Sequence, residues 1–263
     1  MNLGLNNRVA LVCGGSSGLG KAIATTMALE GARVALNGRD EARLAAAAAE
    51  VSRQATADVL TFAADVSVSA QATALVDRVV HTMGRLDILL CNAAGPAAGP
   101  FLTTPVEAWP RAIELNLLST INLCRAAVPH MIKRQWGRIL CLTSMAAKQP
   151  MNGLILSTTA RAGVLGFAKS LADEVASQGI TVNALCPGYF LTDRVTDLAE
   201  QRAAQQKRGV DEVMRDAMTS IPMARMGRPE ELAWATAFLA SERSSYITGT
   251  AFSVDGGFVR TII

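Results

Sequence analysis

A doubly wound parallel α/β fold, one seven-stranded sheet covered by helices on both faces, is the class that this 263-residue chain predicts. Three observations carry it. Seven short, nearly continuous apolar runs recur along the chain, the pattern of strands buried on both faces. Longer amphipathic or alanine-rich stretches alternate with them, as the crossover helices of a parallel sheet do. Half of the residues are hydrophobic and 18% are charged, a balance richer in apolar residues than an average soluble domain.

The elements follow in order. Strands are expected at 8–13 (RVALVC), 33–38 (RVALNG), 58–65 (DVLTFAAD), 87–94 (DILLCNAA), 138–144 (RILCLTS), 181–187 (TVNALCP) and 251–256 (AFSVDG). Helices are expected over 18–30, 40–55, 69–83, 105–133, 157–178 and 229–240. The alanine-rich stretch 42–55 reads as a surface helix, because alanine is the best helix former. Only 192–220 breaks the alternation. It is polar and directly follows a strand, and is expected to form a helical lid over the strand ends, with a plain surface insertion as the alternative. No linker or internal repeat divides the chain, so one domain over 1–263 is expected.

The net charge of +3 comes from scattered arginines rather than a clustered patch, which suits an anionic small ligand and argues against nucleic acid. Five cysteines (Cys13, Cys91, Cys124, Cys141 and Cys186) fit no zinc spacing and sit mostly in apolar runs, as small buried residues in a reducing compartment. With two histidines, His81 and His130, no histidine-based metal site or triad is expected. No apolar run reaches the length of a membrane span and no signal segment opens the chain, so a soluble, cytoplasmic protein without membrane partners is expected.

After the first strand comes CGGSSGLG, with Gly14, Gly18 and Gly20 spaced G-x-x-x-G-x-G. Glycines between a strand and a helix let the backbone approach a pyrophosphate, whose charge then meets the helix N-terminus. The turn and the motifs after it resemble the short-chain dehydrogenase/reductase family, the group that includes oxoacyl-carrier-protein reductases. The likeness runs end to end, through Asp65–Val66, NAAG (92–95), LNLLST (115–120), CPGYFLTD (186–193), GRPEELA and YITGTAFSVDGG. It implies a Rossmann-like sheet, a nicotinamide cofactor and a homotetramer or homodimer. Carried over residue by residue, it assigns the cofactor to Gly14, Ser16, Ser17, Gly18, Leu19, Gly20, Asp65, Val66, Asn92, Ala93, Pro187, Gly188 and Thr192. Cys13 stands where the family usually has threonine. At the end of the second strand, where a carboxylate would bind the ribose of NAD, the chain has Gly38 followed by Arg39, so NADP(H) is favoured over NAD(H). Ser17 stands where many NADP-binding relatives place a further basic residue, and Arg39 has the alternative of being a solvated residue opening a helix.

The resemblance also implies a catalytic set of asparagine, serine, tyrosine and lysine. Asn116 and Ser144 match the first two, but thirteen residues past Ser144 stands Ser157 in place of tyrosine, and four further stands Arg161 in place of lysine. The spacing keeps 157 and 161 on one helical face. A serine hydroxyl is far less acidic than a phenol, and a guanidinium holds hydroxyls but relays no proton. Losing a positioned acid costs about 10²–10⁴ in rate. The possible substitutes are weak: Tyr189 and Lys148 border the expected cleft, Tyr246 lies in the closing motif, and Lys169 is about 12 Å beyond Arg161 along the helix. Ser157 itself also reads as a helix-start residue.

Three functions follow. The first is an atypical NADP-dependent oxidoreductase acting on a carbonyl or alcohol, with Arg161 holding ribose and the proton coming from water or substrate. The second is a catalytically silent dinucleotide-binding sensor or partner subunit. The third, with the smallest claim, is elimination or isomerisation. A cleft lined by 94–102, 145–155 and 189–215 suggests a moderately apolar small-molecule substrate. The ending FVRTII reads as a tail buried at a subunit interface or on its own subunit.

Overall fold

The computed structural model describes residues 2–55 and 57–262, apart from the side chains of 194, 202 and 205. Strands β1 (Val9–Val12), β2 (Arg33–Gly38), β3 (Val59–Ala63), β4 (Ile88–Cys91), β5 (Gly137–Leu142), β6 (Ile180–Pro187) and β7 (Ala251–Val254) form one sheet. Their order is β3-β2-β1-β4-β5-β6-β7, and every pairing is parallel. β1, β4, β5 and β6 are buried along their whole length, which is why their sequences are mostly apolar instead of alternating, broken only by the buried Arg138, Thr181 and Asn183.

The helices are α1 (Gly18–Leu29), α2 (Glu41–Ser52), α3 (Ser69–Met83), α4 (Ala108–Ile113), α5 (Ser119–Ile132), α6 (Ile155–Val175), α7 (Asp193–Gln206), α8 (Val210–Thr219) and α9 (Pro229–Leu239). They divide the core in two. On one face Leu75, Val76 and Val79 of α3, Leu123 and Ala127 of α5 and Val164 and Ala168 of α6 cover Leu11, Leu89 and Ile139. On the other Ile23 and Met27 of α1, Leu44 of α2 and Leu232 and Ala237 of α9 cover Val12, Leu36 and Leu140. Truncating any one of the fully buried leucines to alanine costs about 2–5 kcal/mol. The five cysteines are free thiols and buried, and burial pushes Cys13 up to about 12.

Two boundaries differ from expectation. The stretch 105–133 is not one helix: between α4 and α5 the chain widens into a π turn over Glu114–Leu118, and Thr120 Oγ1 donates to the Asn116 carbonyl there at 2.9 Å. α6 begins at Ile155, because Gly153 (φ +74°) ends the preceding loop and the Thr158 amide closes on the Leu154 carbonyl. Ser157 is therefore inside the first turn and is not the residue that caps it.

The strand order reverses between β1 and β4. In sheets of this kind ligands bind outside the carboxyl ends of the strands at such a reversal. Here that end carries a cavity of about 530 Å³.

Candidate active site

The cavity is assembled from what leaves each strand. β1 runs into the glycine turn. Gly14 (φ +61°) adopts a conformation that side chains disfavour, and a Cβ on it would stand 2.6 Å from Asn92 Nδ2. A Cβ on Gly20 would stand only 2.1 Å from the Gly14 carbonyl oxygen. Asn92, just past β4, donates to the Cys13 carbonyl at 3.1 Å and so braces the turn from the neighbouring strand. Ser17 precedes α1 without a side-chain cap, and the first turn of α1 has no acidic residue. The helix thus presents backbone N–H groups and a partial positive charge to the cavity, the physical requirement for an anionic phosphate.

At the end of β2, Asn37 donates to the Phe62 and Ala64 carbonyls at 2.9 and 3.1 Å, fixing the strand end against β3. Gly38, Arg39 and Arg43 follow on the same wall. The Arg39 guanidinium lies 3.8 Å from the Asp65 carboxylate. Burial pulls Asp65 upward, but hydrogen bonds from the Ser67 hydroxyl and amide, and the charge of Arg39, outweigh it and leave the carboxyl below its usual range. Asp65 therefore stays ionised near neutral pH and shares Arg39 with whatever anion enters.

The other end of the cavity is formed by β5 and α6. Ser144 Oγ accepts the Ala146 amide at 3.1 Å, which leaves its hydroxyl hydrogen to point elsewhere. Arg161 is 9% exposed, and its Nη1 donates to the carbonyls of Leu142 (3.0 Å) and Thr143 (2.6 Å), tying the end of β5 to α6. Ser157 lines the same wall one turn earlier on α6. Pro187, Gly188 and Thr192 come in from β6, and the roof consists of Val195, Leu198 and Ala199 of α7 with Val213, Met214 and Ala217 of α8.

Every residue assigned from the sequence to the cofactor or to the catalytic set lines this cavity except Asn116. Asn116 is buried in the π turn, where its amide nitrogen donates to the Ala94 carbonyl at 3.0 Å. It positions the 93–95 segment instead of facing the cavity, and its buried Oδ1 has no hydrogen-bond partner among the described residues. The expected cleft lining also shrinks. Ala94, Gly95, Met145, Met151 and Leu154 belong to it, whereas Phe101 and Leu102 are 63% and 92% exposed outside it. Of the substitute acids, Lys148 turns away, donating to the Ala251 carbonyl and Ser253 Oγ at 3.2 and 3.3 Å. Lys169 packs against Gly249, and Tyr246 is fully exposed. Tyr189 does line the cavity, its ring edge-on to Phe258 at 5.6 Å. Arg43 and Asn37 were not anticipated. The signals were present: Arg43 stands four residues after Arg39 on an expected helix, and Asn37 is the one amide in an otherwise apolar strand.

Comparison with known proteins decides the family. The family model described as enoyl-(acyl carrier protein) reductase matches residues 14–259, nearly the whole chain. The chain belongs to the short-chain dehydrogenase/reductase family. Within it, the 3-oxoacyl-(acyl-carrier-protein) reductase of Chlamydia muridarum is 35% identical over 257 residues, 98% of this chain and 99% of the relative. The L-sorbose reductase of Gluconobacter frateurii, solved in complex with NADPH and L-sorbose, superposes with a TM-score of 0.95 at 33% identity, covering 100% of both chains. An actinorhodin polyketide ketoreductase variant with NADPH gives 0.93 at 31% identity, covering 97% and 98%. These relatives are oxidoreductases by name, and the superposition shows that this chain shares their fold.

Proposed function

We propose that the protein is an atypical NADPH-dependent reductase of a moderately apolar carbonyl compound, working without a tyrosine–lysine pair. The observation that carries this reading is one cavity with a phosphate cradle and two arginines at one end and Ser144, Ser157 and Arg161 at the other. The cradle fits a dinucleotide because its turn is drawn too tightly for a side chain at Gly14 or Gly20 and leads into the uncapped N-terminus of α1, with no acidic residue in the first turn. Gly14, Ser16, Ser17, Gly18, Leu19 and Gly20 hold the pyrophosphate, Arg39 and Arg43 the 2′-phosphate, Asp65 and Val66 the adenine, and Asn92, Ala93, Pro187, Gly188 and Thr192 the nicotinamide half. NADPH supplies a hydride when bound. The chain's own contribution is orientation and charge: Ser144 donates a hydrogen bond to the carbonyl oxygen, and Arg161 provides a fixed positive charge beside it. The apolar roof of α7 and α8 acts as the lid and excludes water from that end. Neither Ser157 nor Arg161 serves as an acid, so the proton comes from water or from the substrate.

Exposed Trp234, Tyr246 and Phe252 (55%, 102% and 41%), with β7 at the sheet edge, support a homo-oligomer, tetramer or dimer. Ile262 is fully exposed on the single subunit, which supports a tail lying against a second copy. One observation favours the alternative, a dinucleotide-binding protein without turnover. Arg161 Nη1 is spent on two main-chain carbonyls, a purely structural use.

The deciding experiment pairs a calorimetric titration with a double substitution. NADPH is expected to bind with micromolar or better Kd and more tightly than NADH. Ser157→Tyr with Arg161→Lys is expected to raise ketone reduction by about 10²-fold or more, the reverse of losing a positioned acid. Binding without any gain in the correctly folded double variant would favour the silent alternative, and no binding of either cofactor would defeat both.

A further inference from the structure

We infer that the wall formed by Ser144, Met145, Met151, Leu154, Ser157 and Arg161 is a subsite for a phenol, and that this phenol supplies the proton the chain itself lacks. The inference rests on the reductase reading above. The wall combines two kinds of surface. Leu154, just before α6, and Ser157 and Arg161 on it stand at i, i+3 and i+7 and line one cavity together with Met145 and Met151. Leucine and methionine favour an aromatic ring, and methionine sulfur makes specific contacts with ring edges. Two hydroxyls and a guanidinium at the same place favour a group that can be both hydrogen-bond donor and anion.

Three ligand chemistries meet the apolar requirement, and only one meets the proton requirement. An aliphatic hydroxyl is no stronger an acid than the alcohol being formed, so it lends the transfer no driving force beyond that of water. A carboxylic acid is already ionised at neutral pH and has no proton to give. A phenol is protonated at neutral pH, ionises near pH 10, and is made more acidic by a cation within about 4–6 Å. A guanidinium stays charged over this whole range. Ser157 matters because a hydroxymethyl group occupies little of the wall, so a ring can stand over it.

In the step itself, the carbonyl carbon gains the hydride with its electron pair from NADPH, and the C=O π pair moves to oxygen. That oxygen takes the proton of the phenol O–H. The phenolate left beside Arg161 is reprotonated by water, so one carbonyl, one NADPH and one proton give one alcohol and one NADP⁺. The phenol is either part of the substrate, as in a hydroxyaryl ketone, or a separate molecule.

The test uses p-cresol, with toluene as the matched ring that has no hydroxyl. Calorimetry on the intact protein should give a Kd on the order of 1 mM for p-cresol and at least tenfold weaker binding for toluene. The ultraviolet phenolate band of bound cresol should titrate about one pH unit lower than that of free cresol. Ser157→Tyr should abolish cresol binding, because the attached ring takes the place of the free one, and should raise the intrinsic reduction of a plain ketone. Equal binding of toluene, an unshifted phenolate band, or undiminished cresol binding in Ser157→Tyr overturns the subsite. Acceleration of plain-ketone reduction by cresol points to a separate donor, and turnover of a hydroxyaryl ketone without cresol points to the substrate. Neither effect, with cresol bound, overturns the proton-donor role. A parallel NADPH titration separates the two levels: if NADPH fails to bind, the reductase reading falls whatever cresol does.

Discussion

Replacing Arg39 and Arg43 together by alanine isolates the charge that distinguishes NADPH from NADH. Both side chains border the cavity beyond the end of β2, and Arg39 is 68% exposed. Two unit charges 4 Å apart attract by about 1 kcal/mol in bulk water. A phosphate monoester carries about −1.5 to −2 charges, so each exposed arginine contributes about 1.5–2 kcal/mol at low salt. Asp65, 3.8 Å from Arg39, offsets part of that contribution. The sum is about 3 kcal/mol, or two decades of Kd. Screening at 0.15 M ionic strength, where the Debye length is about 8 Å, brings it nearer one decade. The assay is calorimetric titration of both cofactors at 20 and 150 mM salt. NADPH affinity should fall about 100-fold at low salt and about 10-fold at high salt, with NADH changing less than threefold. An equal loss for both cofactors, or no loss for NADPH, would refute the assignment of the phosphate to this corner.

Three further outcomes are expected. Gly20→Ala should keep the helical circular dichroism spectrum but lower NADPH affinity by about 100-fold, because its Cβ would meet the Gly14 carbonyl at 2.1 Å. Gly166→Ala, with no neighbour within 4 Å on the exposed side of α6, should leave NADPH affinity intact and gain up to about 1 kcal/mol in chemical denaturation. Glu231 is lowered to about 2 by Arg225 and by the Arg228 amide at the start of α9. A depressed carboxylate stabilises the fold above its unfolded pKa of 4.5 and loses that effect as pH falls toward 2. The thermal midpoint of wild type should therefore exceed that of Glu231→Gln at pH 6, and the gap should close between pH 4.5 and 2.

The sheet was legible because burial on both faces removes polar alternation. Each of the seven apolar runs contains an observed strand, including the edge strands β3 and β7, where Leu60 and Phe252 come to the surface. The glycine turn that lines the cavity was legible for a related reason: a tight turn between strand and helix requires glycines at fixed offsets, and those offsets are written in the chain. Features set by tertiary contact were not. The π turn at Glu114–Leu118 leaves no periodic mark, so Asn116 could be named but not aimed. Lys148 looked available until the carbonyl of Ala251, 103 residues away, was seen to hold it. Arg43 lay beyond the strand end at which the cofactor preference was sought. Phe101 and Leu102 read as cleft lining from their position after β4, but the chain turns outward at Pro100 and leaves them in solvent.

The grip of Arg161 on the Leu142 and Thr143 carbonyls also bears on the order in which such a site changes over evolutionary time. Position 157 faces open space, so it can exchange serine and tyrosine in either direction with little effect on the fold. Position 161 has become part of the fabric joining β5 to α6, and a shorter cation there must release at least one of two buried carbonyls, at about 1–3 kcal/mol. Tyrosine at 157 with arginine still in place is therefore a smaller step for this fold than a change at 161. The two positions, one helical turn apart, thus differ in how freely they can vary.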